Sequence, residues 1–429
     1  MKLKSVLWGG DRPGRAVTLG VQHVFAMFGS TVLVPALTGL DPAVTLFCMG
    51  IGTLIFHLIT RGVVPAFMGS SFSFIASICA VGSYCSERSI ENFASYVGWG
   101  IIASGVLYLL LAGLVKLFGA KRITGFFPPI VTGCMIIIIG MMLAPTAMNN
   151  ITTVAGQIPL WKNWVVAVVT IAVIIVVMFF TRGFIKLIPI LFGIIAGYLT
   201  ALALGMVDVT PVIEAKWFAL PQVRLPVFKN WDAISFAVTI IAPISIVTFV
   251  EHVGDITANG AVTGKNYIED PGLHRTLLGC GLASIFSGGM GGPAATTYSE
   301  NTGVLAATRN YNPATLRIAA VFAIVLSLFG KVSGVLSSIP APVMGGVSVI
   351  LFGMIASVGL RMLVENHVDF TKSYNLVIAA VMLVLGLGLA DGINLGNITI
   401  SGTAIAAVLG VILAKVLPKE DRDERTQKQ

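Results

Sequence analysis

The chain has 429 residues, of which 56% are apolar and only 11% are Asp, Glu, Lys or Arg, against roughly 25% charged in a typical soluble domain. With a mean hydropathy of +0.92, it carries too little charge to cover a soluble surface, which excludes a cytosolic enzyme, a disordered chain and a secreted disulfide scaffold and leaves a polytopic membrane protein. The net charge is +8, but the basic residues sit in short clusters between apolar runs, so the expected partner is a lipid bilayer and not nucleic acid.

Residues 1–15 are polar and basic (Lys2, Lys4, Arg12, Arg15) and read as a cytoplasmic tail. The apolar run that follows exceeds a signal-peptide core and has no convincing small-residue cleavage site, so it reads as a retained first span. Charge-free stretches then give spans at 16–40, 42–60, 62–86 and 92–115. The stretch 123–161 is too long for one helix, and Ala144-Pro145 to Leu160 reads as its exit loop. Spans follow at 163–181 and 187–207, then a mixed loop over 209–231 with Pro211, Pro221 and Pro226. The second set is 233–258, 276–291, a broken segment near 292–308, 311–330, 341–360, 373–390 and 398–415, ahead of a tail at 417–429. That is fourteen spans, seven on each side of the 209–231 loop.

With the N-terminus inside, the cytoplasmic tails and connections hold 21 of the 27 Lys and Arg, and the outward connections hold the other 6. This is the positive-inside pattern. It predicts a multi-pass protein of an inner membrane with both termini cytoplasmic. The five cysteines (Cys48, Cys79, Cys85, Cys134 and Cys280) lie within or near the ends of apolar runs, with no metal-ligand spacing, and read as small packing residues.

Seven spans per half is an odd number, so the second half enters the membrane from the opposite side, the geometry of an inverted repeat. Interrupted helices should then occupy matching places. The third span of the first half contains Pro65, Gly69, Ser70, Ser71, Phe72 and Ser73. The third of the second half contains Gly288, Gly289, Gly291, Gly292, Pro293, Thr296, Thr297, Tyr298, Ser299, Glu300 and Asn301. Both are poor material for a continuous apolar helix. Irregular backbone at membrane depth survives where it lines a cavity or is buried in protein, and its half-helix N-termini offer N–H groups to carbonyl or anionic oxygens.

Three carboxylates lie in the spans: Glu251, Asp255 and Glu300. An intramembrane acid is expensive and reads as functional by default. Glu251 and Asp255, four apart, share one helix face. His252 reads as a structural hydrogen-bonding residue. His23, in the first span after Gln22, is read two ways: an interhelical hydrogen bond, or a donor to a carboxylate beside the pocket. His57 and Asp391 are expected near the interfaces. Glu365, His367 and Asp369 read as a solvated ion-pair patch beside Arg361 and Lys372 and not as metal ligands. There is no Walker loop, no Gly-x-Ser-x-Gly elbow and no HExxH, so neither ATP, a metal nor any other cofactor is expected and the chain does not read as an enzyme.

Carboxylates accept from N–H groups, and the two sets of backbone N–H groups donate to C=O groups. A small planar ring with alternating N–H and C=O, such as a pyrimidine or purine base, fits that inventory. Phe72 and Tyr298 could stack on its faces. A simple anion would want a pocket Arg or Lys; a simple cation stays open.

The string Glu300-Asn301-Thr302-Gly303-Val304-Leu305-Ala306-Ala307-Thr308-Arg309 resembles the signature of the nucleobase–ascorbate transporter family. Gln22-His23, Gly69-Ser70-Ser71-Phe72 and Glu251-His252-Val253-Gly254 resemble it as well, and the likeness, nearest to bacterial uracil permeases, spans nearly the whole chain. It implies an all-α fold of fourteen spans in two inverted repeats, with short antiparallel strands interrupting spans three and ten. It implies a core domain from residues 16–120 and 232–336, a gate domain from 121–208 and 337–416, and an extracytoplasmic linker at 209–231. The gate would carry much of a homodimer contact, and transport would be proton symport by alternating access, with H+ as the coupling ion. Carried over by position, Glu251 and Glu300 would accept the ring N–H groups and the backbone N–H groups of Phe72 and Ser299 would donate to the carbonyls, with Ser71 and Tyr298 lining the site and Asp255 and His23 supporting it. Glu at the first signature position resembles uracil carriers. Asp255 departs from the uracil pattern, which has His there, and resembles purine carriers of xanthine or uric acid. An anion carrier of the same architecture is the remaining alternative. The crowding of three acids predicts that at least one carboxyl is protonated at neutral pH and that they titrate as a set.

Overall fold

A computed structural model describes residues 13–154, 158–389, 392–395 and 398–418. Lys2, Lys4, Arg12, Asp391 and the C-terminal tail from 419 lie outside the described residues. The chain runs α1 Pro13–Thr38, α2 Pro42–Ile59, β1 Met68–Ser70, α3 Ile75–Glu87, α4 Phe93–Phe118, α5 Ala120–Thr124, α6 Pro129–Met142, α7 Ala144–Thr152, α8 Leu160–Phe180 and α9 Pro189–Ala203. After the linker helix α10 Thr210–Glu214 come α11 Trp231–Ile241, α12 Ile244–Thr263, α13 Leu273–Gly289, β2 Ala295–Thr297, α14 Ser299–Thr308, α15 Pro313–Ser327, α16 Gly330–Ser337, α17 Ala341–Glu365, α18 Ser373–Gly388, β3 Ile393–Leu395, β4 Ile398–Ile400 and α19 Gly402–Val416.

Local chemistry sets several of the helix starts. Asp41 caps α2 by accepting from the N–H groups of Ala43 and Val44 at 2.7 and 3.1 Å, with Pro42 at the first position. Asn312 and Pro313 do the same for α15. Such caps satisfy donors that a helix leaves orphaned. Seven helices among the described residues are long and apolar enough to cross a bilayer, or eight when α15 and α16, bent by 81°, count as one span. Three shorter apolar helices, α9, α18 and α19, accompany them. Outward-facing side chains on α4 and α8, such as Leu117, Phe179 and Phe180, are largely exposed, as expected of helix faces covered by lipid.

Two local expectations are corrected. Ala144–Thr152, read from sequence as loop, is the helix α7: Pro145 falls in its first turn, where a missing N–H costs nothing. Between α18 and α19 the strands β3 and β4 pair antiparallel, Ile393 opposite Ile400, a hairpin that the span pattern did not anticipate.

The packing repeats between the halves. α2 lies on α15, and its counterpart α13 lies on α4. α8 packs with α9 and with α17, as α18 packs with α19 and α6. Glycines permit the closest of these approaches. A Cβ on Gly50 of α2 would sit 2.7 Å from the Ala320 carbonyl of α15, and one on Gly281 of α13 would sit 2.9 Å from the Gly105 carbonyl of α4. Small residues at equivalent contacts let helix backbones touch in both halves. The best-buried core surrounds β1 and β2 and includes Phe56, Phe67, Met68, Leu277, Cys280 and Tyr298.

Candidate functional site

The two interrupted segments meet at the centre. β1 and β2 pair antiparallel with Gly69 opposite Thr296. The ribbon is extended by Ser71 N–H to the Ala294 carbonyl (3.0 Å) and Tyr298 N–H to the Phe67 carbonyl (3.1 Å). Each outer strand edge is closed by a hydroxyl from the preceding helix. Thr53 Oγ1 of α2 accepts from Met68 N–H at 2.9 Å, and Ser284 Oγ of α13 accepts from Ala295 N–H at 3.1 Å. Every backbone donor on so short a ribbon needs such a partner away from water. Asn259 Nδ2 holds the Pro65 carbonyl at 2.7 Å.

Helices leave this ribbon on both sides. Phe72 opens a short 3-10 turn that runs into α3, and Ser299 opens α14. The first N–H groups of such segments have no partner inside the helix, and Phe72 N–H has no backbone acceptor among the described residues. Glu300 lies in the first turn of α14, where an acid is favoured by the helix dipole.

Glu251, on α12, accepts from Ser73 Oγ of the first segment at 3.2 Å and lies within coulombic reach of Glu300 on the second. Both acids belong to the second half of the chain and not to opposite halves; what the first half brings to them is Ser73, bonded to Glu251. Asp255, one turn further along α12, accepts from Thr297 Oγ1 of β2 at 2.9 Å. The Phe72 and Tyr298 rings are nearly parallel, 13° between planes, with centroids 6.5 Å apart. A planar ring between them needs about 7 Å at normal contact distance, so a small parting of the rings opens the slot. Tyr298 is itself fixed, its hydroxyl donating to the Ser70 carbonyl at 2.8 Å and its ring occupying the space that a Cβ on Gly69 would need. Only glycine fits at 69.

The Ser71 hydroxyl is buried and has no hydrogen-bond partner among the described residues, as is true of Thr296 Oγ1 and Asn301 Oδ1. His23 meets Asn301, whose Nδ2 lies 3.0 Å from His23 Nδ1 and 3.2 Å from the His23 carbonyl. This is the interhelical contact of the two readings, made to the residue beside Glu300. His252 bonds Thr276 Oγ1 through Nε2 at 2.9 Å, the structural role expected of it. His57 is 3% exposed, and its Nε2–H donates to the Ala66 carbonyl at 2.9 Å, steadying the approach to β1. Glu365 pairs with Arg361 at 3.8 Å, both about two-thirds exposed, and Asp369 accepts from Thr371, so this patch is solvated surface. Thr53 and Ser284 support the site without any sequence signal of their own. Ser73, Thr297 and Asn301 were visible only as members of the broken segments, Asn301 also within the signature string.

Apolar helices long enough to cross a bilayer, gathered around an interrupted, acid-bearing centre, define a polytopic membrane protein. A permease family model matches residues 14–395, and the chain belongs to that family, the nucleobase–ascorbate transporters; it is a multi-pass membrane transporter and not an enzyme. It is 44% identical over 422 residues to a uracil permease of Bacillus caldolyticus, covering 97% of this chain and 95% of that one. It is 39% identical over 404 residues to a uracil permease of Escherichia coli K12, covering 94% and 91%. Among solved structures it resembles the transmembrane domain of a cyanobacterium bicarbonate transporter, BicA, with a TM-score of 0.67 at 15% identity, covering 92% of this chain and 96% of that one. It also resembles the murine anion transporter Slc26a9 in an inward-facing state, with a TM-score of 0.65 at 13% identity, covering 95% and 68%. At these identities the two structures share the fold alone.

Proposed function

We propose that this protein takes up a nucleobase, uracil first, by proton symport across the inner membrane. The observation that carries the reading is that Glu251 and Glu300 of the second half lie within reach of each other's charge where the interrupted segments of the two halves meet, beside two half-helix N-termini and two parallel rings. The carboxylates would accept the ring N–H groups, the N–H groups of Phe72 and Ser299 would donate to the carbonyls, and Phe72 and Tyr298 would flank the ring. The uracil permease relatives, matched over nearly their whole length, support uracil as the base. In this reading the chain crosses the membrane fourteen times with both termini cytoplasmic. Residues 16–120 and 232–336 form a core that shifts against a gate of 121–208 and 337–416, and two copies associate through the gate.

Coupling follows from charge. Paired acids are costly at membrane depth while both are ionised. A proton from outside neutralises the site, the base binds, and the loaded core turns inward and releases both. Uptake of labelled uracil and xanthine into vesicles holding the purified protein tests this. Concentration of uracil that a protonophore abolishes is the expected result. Preference for xanthine would transfer the reading to a purine carrier, and uptake indifferent to the protonophore would remove the proton.

A further inference from the structure

A chain of three side chains runs behind the two acids and ends at a residue outside the proposed substrate contacts. Asp255 Oδ2 lies 2.9 Å from Thr297 Oγ1, and Thr297 Oγ1 lies 3.3 Å from His252 Nδ1. On the far side of the ring, His252 Nε2 lies 2.9 Å from Thr276 Oγ1. Thr276 places its one hydroxyl proton on the Leu273 carbonyl at 2.9 Å, so it accepts from His252 and the ring proton is on Nε2. Nδ1 is then an acceptor with two donors in reach: the Thr297 hydroxyl, and the Cys280 thiol at 3.5 Å. His252 is fully buried, and Thr297 is 4% exposed.

We propose that Thr297 is a two-position hydroxyl switch that reports the protonation of Asp255 to His252. With Asp255 ionised, Thr297 O–H donates to Oδ2, and His252 Nδ1 takes the Cys280 S–H. A proton arriving on Asp255 forms an O–H bond at Oδ2. That O–H needs an acceptor, and Thr297 Oγ1 is already at hydrogen-bonding distance. The Thr297 proton then turns from Oδ2 to Nδ1, staying on its own oxygen throughout. No covalent bond other than the new O–H forms or breaks, the Thr297 hydroxyl serves as donor and acceptor at once, and the Cys280 S–H released from Nδ1 turns to Met68 Sδ at 3.9 Å, so no buried group is left unpaired. Because Thr297 belongs to β2 and stands opposite Met68 of β1, the switch sits on the ribbon that joins the halves. The titratable groups around Asp255 are Glu251 one turn earlier on α12, His252 beside it, Tyr108 of α4 and Cys280 of α13 within coulombic reach, and Glu300 of α14 across the site by way of Glu251. An acid at this position thereby acts through a hydroxyl on the strand.

The inference rests on the proton-coupling reading, and its test needs no substrate. Infrared difference spectra of the purified full-length protein are recorded between acid and alkaline pH. A carboxyl band that disappears in Asp255→Asn and imidazole bands that disappear in His252→Gln should change with one shared midpoint. Thr297→Ser should keep both, and Thr297→Val should keep the carboxyl band and lose the linked imidazole change. Imidazole bands that still follow the carboxyl in Thr297→Val would overturn the switch. If that variant does not fold, the wild type decides alone: a carboxyl band with no imidazole change at its midpoint, or no Asp255 band at all, overturns it. Failure of the transport reading shows separately, as wild-type vesicles that accumulate no uracil.

Discussion

The segment from Pro65 to Phe74 and the segment from Gly288 to Asn301 follow the same path: a helix end, a three-residue strand, and a new helix leaving the ribbon. Each strand is held on its outer edge by one hydroxyl of the helix before it, Thr53 in one half and Ser284 in the other. The side chains differ. The first segment offers Phe72, Ser71 and Ser73, neutral groups with an aromatic face. The second offers Glu300, Asn301, Thr297 and Tyr298, the acid and the groups that hold its neighbourhood. Similar backbone provides the paired N–H groups, and divergence between the segments provides direction, since one wall carries a charge beside its ring and the other carries only neutral groups beside its own. Glu251 belongs to neither wall but is tied to the first through Ser73 and to the second through Glu300.

That division can be broken at several points. Glu251→Gln removes the acid that both walls share, and it should abolish concentrative uracil uptake in the vesicle assay; a variant that still builds a gradient would end the role of Glu251 in coupling. Gly69→Ala forces a methyl into the Tyr298 ring, and overpacking of this kind costs about 1–3 kcal/mol. Thermal unfolding should show the loss, with uracil binding falling alongside. Glu300→Gln takes the charge from the second wall alone and should weaken uracil binding by about 1–3 kcal/mol, or about fivefold to 150-fold in Kd by titration. Smallest is the matched pair Thr53→Val and Ser284→Ala. Each removes one strand-edge acceptor and should lower stability by about 1 kcal/mol. If their effects on the unfolding temperature differ several-fold, the backbone symmetry is not energetic symmetry.

Much of this arrangement was legible in the chain itself. Long uncharged runs and the unequal placement of Lys and Arg carry a covalent record of the spans, and Gly, Pro, Ser and Thr at matching places in the halves marked the interruptions. Glu251, Asp255 and Glu300 stood out because acids are rare in such surroundings. The supporting contacts were not legible. Thr53 looks like any threonine that returns its hydroxyl to its own helix, and it does so, to Met49 at 2.8 Å, while its lone pair serves a strand fifteen residues away. The partner of His57 was not legible either, since Ala66 lies beyond the turn that ends its helix. α7 was missed because proline reads as a break until its place in the first turn is known. His23 and Asn301 find each other across 278 residues, a pairing that only the fold specifies.

The ribbon of β1 and β2 also has a bearing on biogenesis. Met68–Ser70 is translated more than 220 residues before its partner Ala295–Thr297. Until the ribosome has delivered that partner, the nascent first repeat holds a strand only partly matched: Thr53 takes Met68 N–H, but Ser71 N–H still lacks Ala294. The fold of this repeat is therefore provisional, and it becomes final only when Ala295–Thr297 arrives to zip it shut.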